Sequence, residues 1–456
     1  MSPTERLGNY LAASAGRALS RVVSIKAAIC LLDALGLAVA ARSEPTTRAA
    51  VGIAAKVATG AAAATIWTDG RQAGVGDAVL ANGVAVHAHF QDDTDHDSWS
   101  HPGSLVPPVA IALTENDTVE QALRALVAGY ATINWLGIKE TVSRSLITRG
   151  LRTSPTFGTI GAAAAGAVAL GLDAAQARSA VAIAAAATGG TLEPVRSGTD
   201  EWRIQNGRAA QGGLVAALLA SQGVQGAPDA LSGPKGFLSA LAGMAEPPAE
   251  WSRDPDPEIM LEIMAKPYAT LGDNMPAVMA ADVARRRGLD PARIKRVSVT
   301  LWRPYAEYPG TAFKGPFERS VQTQASTAFA VAAVLLHGDV TYDMGVDLRA
   351  DPALNALVAK TTIVPDDVNG ALDSTVTIEL DDGRTLVGSA ADAPRTLILQ
   401  DEARSIEVFE GRLAAAGRMP GAGVALAEKL FAASSGKGSL PVSELLRDLH
   451  PAPGNV

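Results

Sequence analysis

The sequence predicts a mainly α-helical protein with an α+β part, arranged as an all-helical domain built from both chain ends plus an inserted α+β lid domain. Helical patterns broken by Gly and Pro fill the chain up to about residue 260 and return after residue 403. Alternating strand patterns occur between those two regions. At 456 residues the chain is long enough for two hydrophobic cores. The expected bounds are 1–265 and 403–456 for the helical domain and 266–402 for the lid.

The clearest helical unit is the Ala-rich stretch from Gly158 to Gly190. Gly171 predicts the end of one helix, and Asp173 with Gln176 three residues on predicts the capping box that starts the next. Ala and Gly cover these helices almost all round, which is typical of helices buried between others. Because the chain is 48% hydrophobic but only 4% aromatic, small side chains are expected to fill its interior.

The α+β part is predicted from three alternating segments. Arg296–Leu301 alternates apolar and polar residues, and so do Thr375–Leu380 and Arg384–Gly388. The last two segments are separated by Asp381-Asp382-Gly383, which is a hairpin turn signal. Helical stretches lie between the strands, over 324–338 and 351–360.

An acidic composition limits the partners that we expect. The net charge is −8 and the isoelectric point is about 5.4, whereas nucleic acids and anionic membranes favour clustered Lys and Arg. The apolar run from Ala27 to Ala41 contains Asp33 and is shorter than the roughly 20 residues that span a bilayer. We therefore expect no nucleic acid, no membrane partner and a cytoplasmic location. Cys30 is the single cysteine and is expected to be a buried, inert thiol.

Titratable residues crowd into one polar segment. The stretch from His87 to Ser104 carries four of the six histidines, with several Asp residues, and its part from Gln91 to Gly103 is predicted to be a loop. Asp92, Asp93, His96 and His101 offer acid and base groups for a cleft. Two alternatives stay open, a solvated loop that caps helices and a metal site, although no established metal-binding spacing is present.

Basic residues in three other segments are candidates for the same cleft. Lys266 precedes Pro267 in a turn-rich segment at the expected domain boundary. Arg149, Arg152 and Arg203 lie next to Gly or before Ala-rich helices, where a guanidinium and free N–H groups suit a carboxylate. Each of these residues could instead be an ordinary surface cation.

Five segments follow one another along the chain and together carry a resemblance to a known family. They are NGVAVHAHFQDDTDHDSWSHPGSLVPPVAIAL, RGLRTSPTFGTIGAAAAGAVALGLD, WRIQNGRAAQGGLVAALLASQGVQG, KPYATLGDN and ASTAFAVAAVLLHG. In this order they resemble the MmgE/PrpD family, which includes 2-methylcitrate dehydratase, cis-aconitate decarboxylase and iminodisuccinate epimerase. The resemblance implies an all-helical domain with an α+β lid, a homodimer, no cofactor and a small polycarboxylate substrate.

The chain keeps part of the family's pattern and departs from the rest. The residues that match are Asp92, Asp93, Thr94, His101-Pro102 and Lys266. The departures are Phe90 for Asp, Arg152 for His, Leu271 for Cys or His, Met275 for His and Phe329 for Tyr. These changes remove proton donors and add fixed positive charge.

Fewer acids and more cations favour an epimerase of the iminodisuccinate type, which removes and returns a proton at a carbon α to a carboxylate. The resemblance implies that His101 and Lys266 are the acid/base pair and that Asp92 and Asp93 orient them. Arg149, Arg152, Arg203 and Thr94 are expected to bind substrate, with no metal. The alternatives are a 2-methylcitrate-type dehydratase or cis-aconitate-type decarboxylase, and a polycarboxylate binder without catalysis.

Overall fold

The computed structural model describes residues 1–57, 64–368 and 370–450. Helices account for 60% of the residues and strands for 9%, which confirms the predicted fold class. Within its described residues, the first part of the chain contains eleven α-helices and a two-stranded antiparallel sheet, β1 Ala64–Thr65 with β2 Gln72–Ala73. The helices are α1 Pro3–Ser14, α2 Arg21–Ala40, α3 Pro45–Val57, α4 Val75–His87, α5 Pro107–Leu113, α6 Val119–Gly137, α7 Thr141–Thr148, α8 Thr153–Ala169, α9 Ala174–Ala186, α10 Glu193–Ser197 and α11 Glu201–Ser221.

Small residues allow these helices to approach one another closely. A Cβ atom added to Gly207 of α11 would lie 2.6 Å from the carbonyl oxygen of Leu80 in α4. One added to Gly213 would lie 2.5 Å from the carbonyl oxygen of Thr159 in α8. The predicted break between α8 and α9 is confirmed, and Asp173 starts α9 with the expected capping box.

The α+β part begins after this helical region. Its elements are α12 Met275–Arg285, β3 Ile294–Trp302, α13 Arg303–Ala306, α14 Ser320–Ala325, α15 Thr327–His337, α16 Tyr342–Asp347, α17 Pro352–Lys360, β4 Thr361–Asp366, β5 Ser374–Leu380 and β6 Thr385–Ser389. The strands form a sheet of order β4-β3-β5-β6. Strand β3 pairs parallel with β4 and antiparallel with β5, and β5 forms the predicted hairpin with β6. Gly383 takes the left-handed conformation (φ +84°) in that turn.

The C-terminal helices return to the first part of the chain. These are α18 Glu402–Ala415, α19 Ala422–Ser434 and α20 Val442–Leu449. One hydrophobic core combines residues from 7 to 263 with residues from 409 to 449. A second core lies between residues 264 and 398. The bounds 1–265, 266–402 and 403–456 stay a prediction.

Helix α2 lies at the centre of the larger core. Together with the turn that follows it, it runs from Arg21 to Ser43 and is long and apolar enough to cross a membrane. However, 89% of its most apolar window is buried inside the fold. Arg412 of α18 pairs with Asp33 on this helix (2.6 Å), so the charge that interrupts the apolar run has a partner.

Gly207→Ala is expected to lower the free energy of unfolding by about 1–3 kcal/mol, because the added methyl group has no space against α4. Gly411→Ala in α18 is the matched control. Among the described residues, no atom lies within 4 Å of the added Cβ at Gly411, so this change should stabilise by about 0.5–1 kcal/mol. Chemical denaturation of both variants checks the pair, and equal effects would contradict the packing argument.

Candidate active site

A small polar pocket lies where the loop from 91 to 103 meets the α+β part. Its volume is about 30 Å³. Thr94 and Met264 join the two sides, because each backbone N–H donates to the other residue's carbonyl oxygen (2.7 and 3.0 Å). The side chains around the polar pocket include Phe90, Thr94, His96, Trp99, His101, Arg152, Leu271, Asp273, Tyr305 and Tyr308.

The loop that forms one wall of the polar pocket is buried. Asp92, Asp93 and Asp95 are 0%, 2% and 5% exposed, so the alternative of a solvated capping loop is wrong. A buried polar loop needs a partner for each of its polar groups. Asp95, for example, accepts hydrogen bonds from Ser98 Oγ (2.6 Å) and from Asn134 Nδ2 (3.2 Å).

His101 is held as a neutral base at the polar pocket. Its Nδ1 lies 3.1 Å from the carbonyl oxygen of Asp93 and 3.2 Å from Thr94 Oγ1. Because the carbonyl can only accept, Nδ1 carries the proton and Nε2 is left as the acceptor. Burial lowers the pKa of His101 well below its ordinary value. The backbone N–H of His101 donates to Ser154 Oγ (3.1 Å) and fixes the turn.

Lys266 has a buried amino group without a hydrogen-bond partner among the described residues. Its Nζ lies 3.9 Å from Asp92 Oδ1 and 4.6 Å from the centre of the Phe90 ring. Burial lowers the pKa of Lys266 to about 8, although the charge of Asp92 opposes the shift. The side chain can therefore give or take a proton near neutral pH.

Asp92, His87 and Arg152 form a hydrogen-bonded chain behind the polar pocket. Arg152 Nη2 lies 2.9 Å from His87 Nε2, and His87 Nδ1 lies 2.8 Å from Asp92 Oδ2. Since a guanidinium only donates, His87 accepts at Nε2 and donates from Nδ1 to the carboxylate. Burial lowers the pKa of His87 to about 4. Burial disfavours the Asp92 carboxylate, but His87, His101 and Lys266 hold the pKa of Asp92 below its usual range.

Arg152 is the cation that faces the polar pocket. It is 3% exposed and also donates to the carbonyl oxygen of Trp202 (2.8 Å) and to Gln205 Oε1 (3.0 Å). These contacts fix the guanidinium, which keeps its charge at any physiological pH. Arg152 therefore provides a stationary positive charge of the kind that binds a carboxylate.

The carboxylate of Asp93 turns away from the polar pocket, contrary to its expected role beside Lys266. It accepts hydrogen bonds from the Tyr130 hydroxyl (2.7 Å) and from the backbone N–H of Gly103 (2.7 Å). Burial raises the pKa of Asp93 to about 7. Asp93 contacts His101 only through its main-chain carbonyl group, so it positions the loop and does not line the pocket.

Two of the three expected carboxylate-binding arginines lie elsewhere. Arg149 is exposed at the end of α7, where its guanidinium lies beside Gly243. Arg203 is buried, but it donates to the carbonyl oxygen of Ala88 (3.0 Å) and to Ser320 Oγ (3.1 Å) and lies over the Trp202 ring. The substrate-binding role predicted for Arg149 and Arg203 is not supported, because one points away and the other joins the two parts of the fold.

The α+β part contributes acids that the sequence did not reveal. Asp273 lines the polar pocket, and burial raises its pKa to about 7 while Lys266 opposes the shift. Tyr305 and Tyr308 line it as well, and burial raises the pKa of both hydroxyls. Asp273 lies in the same segment as Lys266, KPYATLGDN, so the sequence alone could have indicated it as an acid near Lys266. The tyrosines come from a segment about 200 residues beyond the loop and had no such signal.

The departures from the family's pattern occupy different surroundings. Phe90 takes a left-handed backbone (φ +57°), and its ring packs on the rings of His101 (5.5 Å) and Trp202 (4.5 Å between ring centres). Leu271 gives the polar pocket a second apolar side chain. Phe329 is 1% exposed within the second core. Among the described residues, no group of three or more His, Cys, Asp or Glu side chains is arranged to hold a metal ion.

Phe90→Asp is expected to raise the pKa of Lys266 from about 8 by roughly 1 unit or more, because a neighbouring carboxylate favours the ammonium form. Asp also tolerates the left-handed backbone at this position. Titration of the Lys266 amino group by NMR, assigned with Lys266→Gln, measures the shift. Phe90→Leu keeps an apolar neighbour and should leave the pKa low. An unchanged titration in Phe90→Asp would contradict the influence of this position on Lys266.

The comparisons with known proteins agree with the predicted family and fold class. The model of the MmgE/PrpD N-terminal domain matches residues 5–250, and that of the MmgE/PrpD C-terminal domain matches residues 275–403. The cis-aconitate decarboxylase-like protein oryM of Aspergillus oryzae is 28% identical over 69% of this chain and 71% of its own. The cis-aconitate decarboxylase of Homo sapiens is 28% identical over 68% of this chain and 66% of its own length. That of Mus musculus is 29% identical over 58% of this chain and 55% of its own length. The match thus spans less than two thirds of the length of each mammalian relative.

The two family models together match most of the length of this chain. This chain therefore belongs to the MmgE/PrpD family.

Proposed function

We propose that this protein is a cofactor-independent lyase that removes a carboxyl group from a small unsaturated polycarboxylate. The proposal rests on the presence of two cationic groups around Phe90. They are the fixed guanidinium of Arg152 and the amino group of Lys266, which can donate a proton. Arg152 would hold a carboxylate that stays on the substrate, and Lys266 would protonate the delocalised carbanion that the loss of CO2 leaves. The three relatives, two cis-aconitate decarboxylases and one cis-aconitate decarboxylase-like protein, support the same reaction class.

The apolar side chains of the polar pocket favour the loss of CO2. Phe90 and Leu271 replace polar residues of the family's pattern, so part of the wall cannot hydrogen-bond to a carboxylate. A carboxylate placed there loses its hydration, which favours breaking its bond to carbon. The electron pair stays on carbon, where a neighbouring carboxylate or double bond delocalises it until the proton arrives.

An epimerase of the iminodisuccinate type is the second candidate. It is favoured by His101, whose free Nε2 can remove a proton, and by Lys266, which can return one. The polar pocket does not lack proton donors, however, because Asp273, Tyr305 and Tyr308 line it. Those acids equally suit a dehydratase. The homodimer and the cytoplasmic location stay predictions.

Incubation in heavy water with cis-aconitate, 2-methylcitrate or iminodisuccinate, followed by NMR, separates the candidates. A decarboxylase releases CO2 and leaves one deuterium at either end of the delocalised carbanion, that is, on the carbon that carried the carboxylate or on the far carbon of the double bond. An epimerase exchanges the α proton and keeps every carboxyl group, and a dehydratase forms an alkene from 2-methylcitrate. Binding without any of these changes would contradict catalysis.

Lys266→Ala is expected to reduce kcat by about 100-fold to 10,000-fold, because the proton donor is lost. Lys437→Ala, at an exposed position, is the matched control and should retain full activity. Steady-state kinetics on the active substrate compares the two variants. A Lys266→Ala enzyme with an unchanged kcat would remove Lys266 from the mechanism.

The pH dependence of kcat/KM should follow the donor form of Lys266. The ammonium is present below its pKa of about 8, so kcat/KM should fall as the pH rises through that value. His101 has a pKa well below its ordinary value, so its protonation should limit activity only in distinctly acidic solution. In Phe90→Asp the alkaline limb should move to higher pH. A wild-type profile that is flat up to pH 10 would contradict proton donation by Lys266.

A further inference from the structure

A second, larger cavity adjoins the polar pocket, and the proposed chemistry does not use it. Its volume is about 380 Å³, within the roughly 300–1,000 Å³ range of small-molecule sites. Thr94 and His96 line both cavities. Lys266 lines the larger cavity and not the polar pocket, but its amino group lies 4.6 Å from the centre of the Phe90 ring, which lines the polar pocket. The two spaces therefore meet at the proposed proton donor.

The larger cavity has the polar side chains of Thr94, His96 and Lys266 where it meets the polar pocket, apolar walls beyond them and an opening to solvent. Its buried walls include Met264, Met275, Met279 and Ile398, each at most 8% exposed. Ala391 and Arg395 are exposed lining residues and mark the mouth. Unbranched Met side chains adapt to the shape of an apolar ligand. Such walls offer little to an unsubstituted polycarboxylate, which is polar throughout.

We propose that the substrate carries an apolar substituent, such as an alkyl chain, which occupies this cavity while its carboxylates are held beside Arg152. This inference about the apolar substituent rests on the proposed lyase function in one respect only, which is that the polar end of the substrate is a polycarboxylate. Met275 stands where the family's pattern has His, so the exchange of a polar for an apolar side chain agrees with an apolar occupant. The cavity has room for a chain of several carbons, so the substituent that we propose is longer than the single methyl group of 2-methylcitrate.

Binding of two saturated acids that cannot lose CO2 or water through the proposed chemistry tests the idea without turnover. Tricarballylate and its hexyl-substituted derivative would be titrated calorimetrically into the full-length protein. Each buried methylene should increase affinity about fourfold, so the hexyl compound is expected to bind at least about 100-fold more tightly. Equal affinities would overturn the proposal and leave the cavity as an entry path.

A variant at the mouth checks that the chain lies in this cavity. Ala391→Trp should reduce the advantage of the hexyl compound to less than about tenfold, because the indole fills the space. Ala391→Ser keeps the side chain small and should retain the advantage, and Ala415→Trp places the same ring on an exposed position of α18 as a second control. Thermal unfolding of each variant checks folding. An undiminished advantage in a folded Ala391→Trp protein would overturn the placement.

Turnover separates a failure of this proposal from a failure of the proposed function. If the hexyl acid binds more tightly but neither cis-aconitate nor its alkyl derivatives react, the apolar site stands and the lyase proposal falls. If cis-aconitate is decarboxylated and a chain improves neither binding nor kcat/KM, the lyase proposal stands and the apolar substituent is excluded.

Discussion

The burial of a polar loop is the constraint on which the site depends. The loop from 91 to 103 lies between two hydrophobic cores, where an unpaired polar group costs about 1–3 kcal/mol. Its carboxylates and histidines are therefore fixed by partners from both parts of the chain, among them Asn134, Tyr130 and Met264. These hydrogen bonds orient His101 and Arg152 before any ligand arrives. Among the described residues, Trp99 Nε1 of the loop and the amino group of Lys266 are both buried without a hydrogen-bond partner.

Local patterns were sufficient to predict much of the fold. The capping box at Asp173 and the hairpin turn at Gly383 each depend on residues close in sequence, so their geometry could be read directly. The loop was also recognisable, because acids and histidines crowd within it. Phe90 was visible as a departure, but only the structure shows that its ring lies under the amino group of Lys266.

Side-chain direction and long-range contacts could not be predicted in the same way. Asp92 and Asp93 are neighbours, yet one faces His87 and the other faces Tyr130, because the irregular backbone of the loop sends the two side chains to different partners. Arg149 and Arg152 are separated by a turn whose Gly150 is left-handed (φ +78°), and only the second points inward. Tyr305 and Tyr308 reach the polar pocket through the topology of the α+β part, which no local pattern encodes.

The close approach of the glycine-rich helices has a consequence for how such a protein can diverge. Positions such as Gly207 and Gly213 leave no space even for a methyl group, so sequence change in the interior of α11 is severely restricted. The five departures from the family's pattern avoid such interiors and lie in loops, at a helix cap or in the first turn of a helix. They are Phe90, Arg152, Leu271, Met275 and Phe329. Substitutions in the loops and at the helix starts can therefore change the chemistry at the domain junction, while the packing of the helix interiors stays constant.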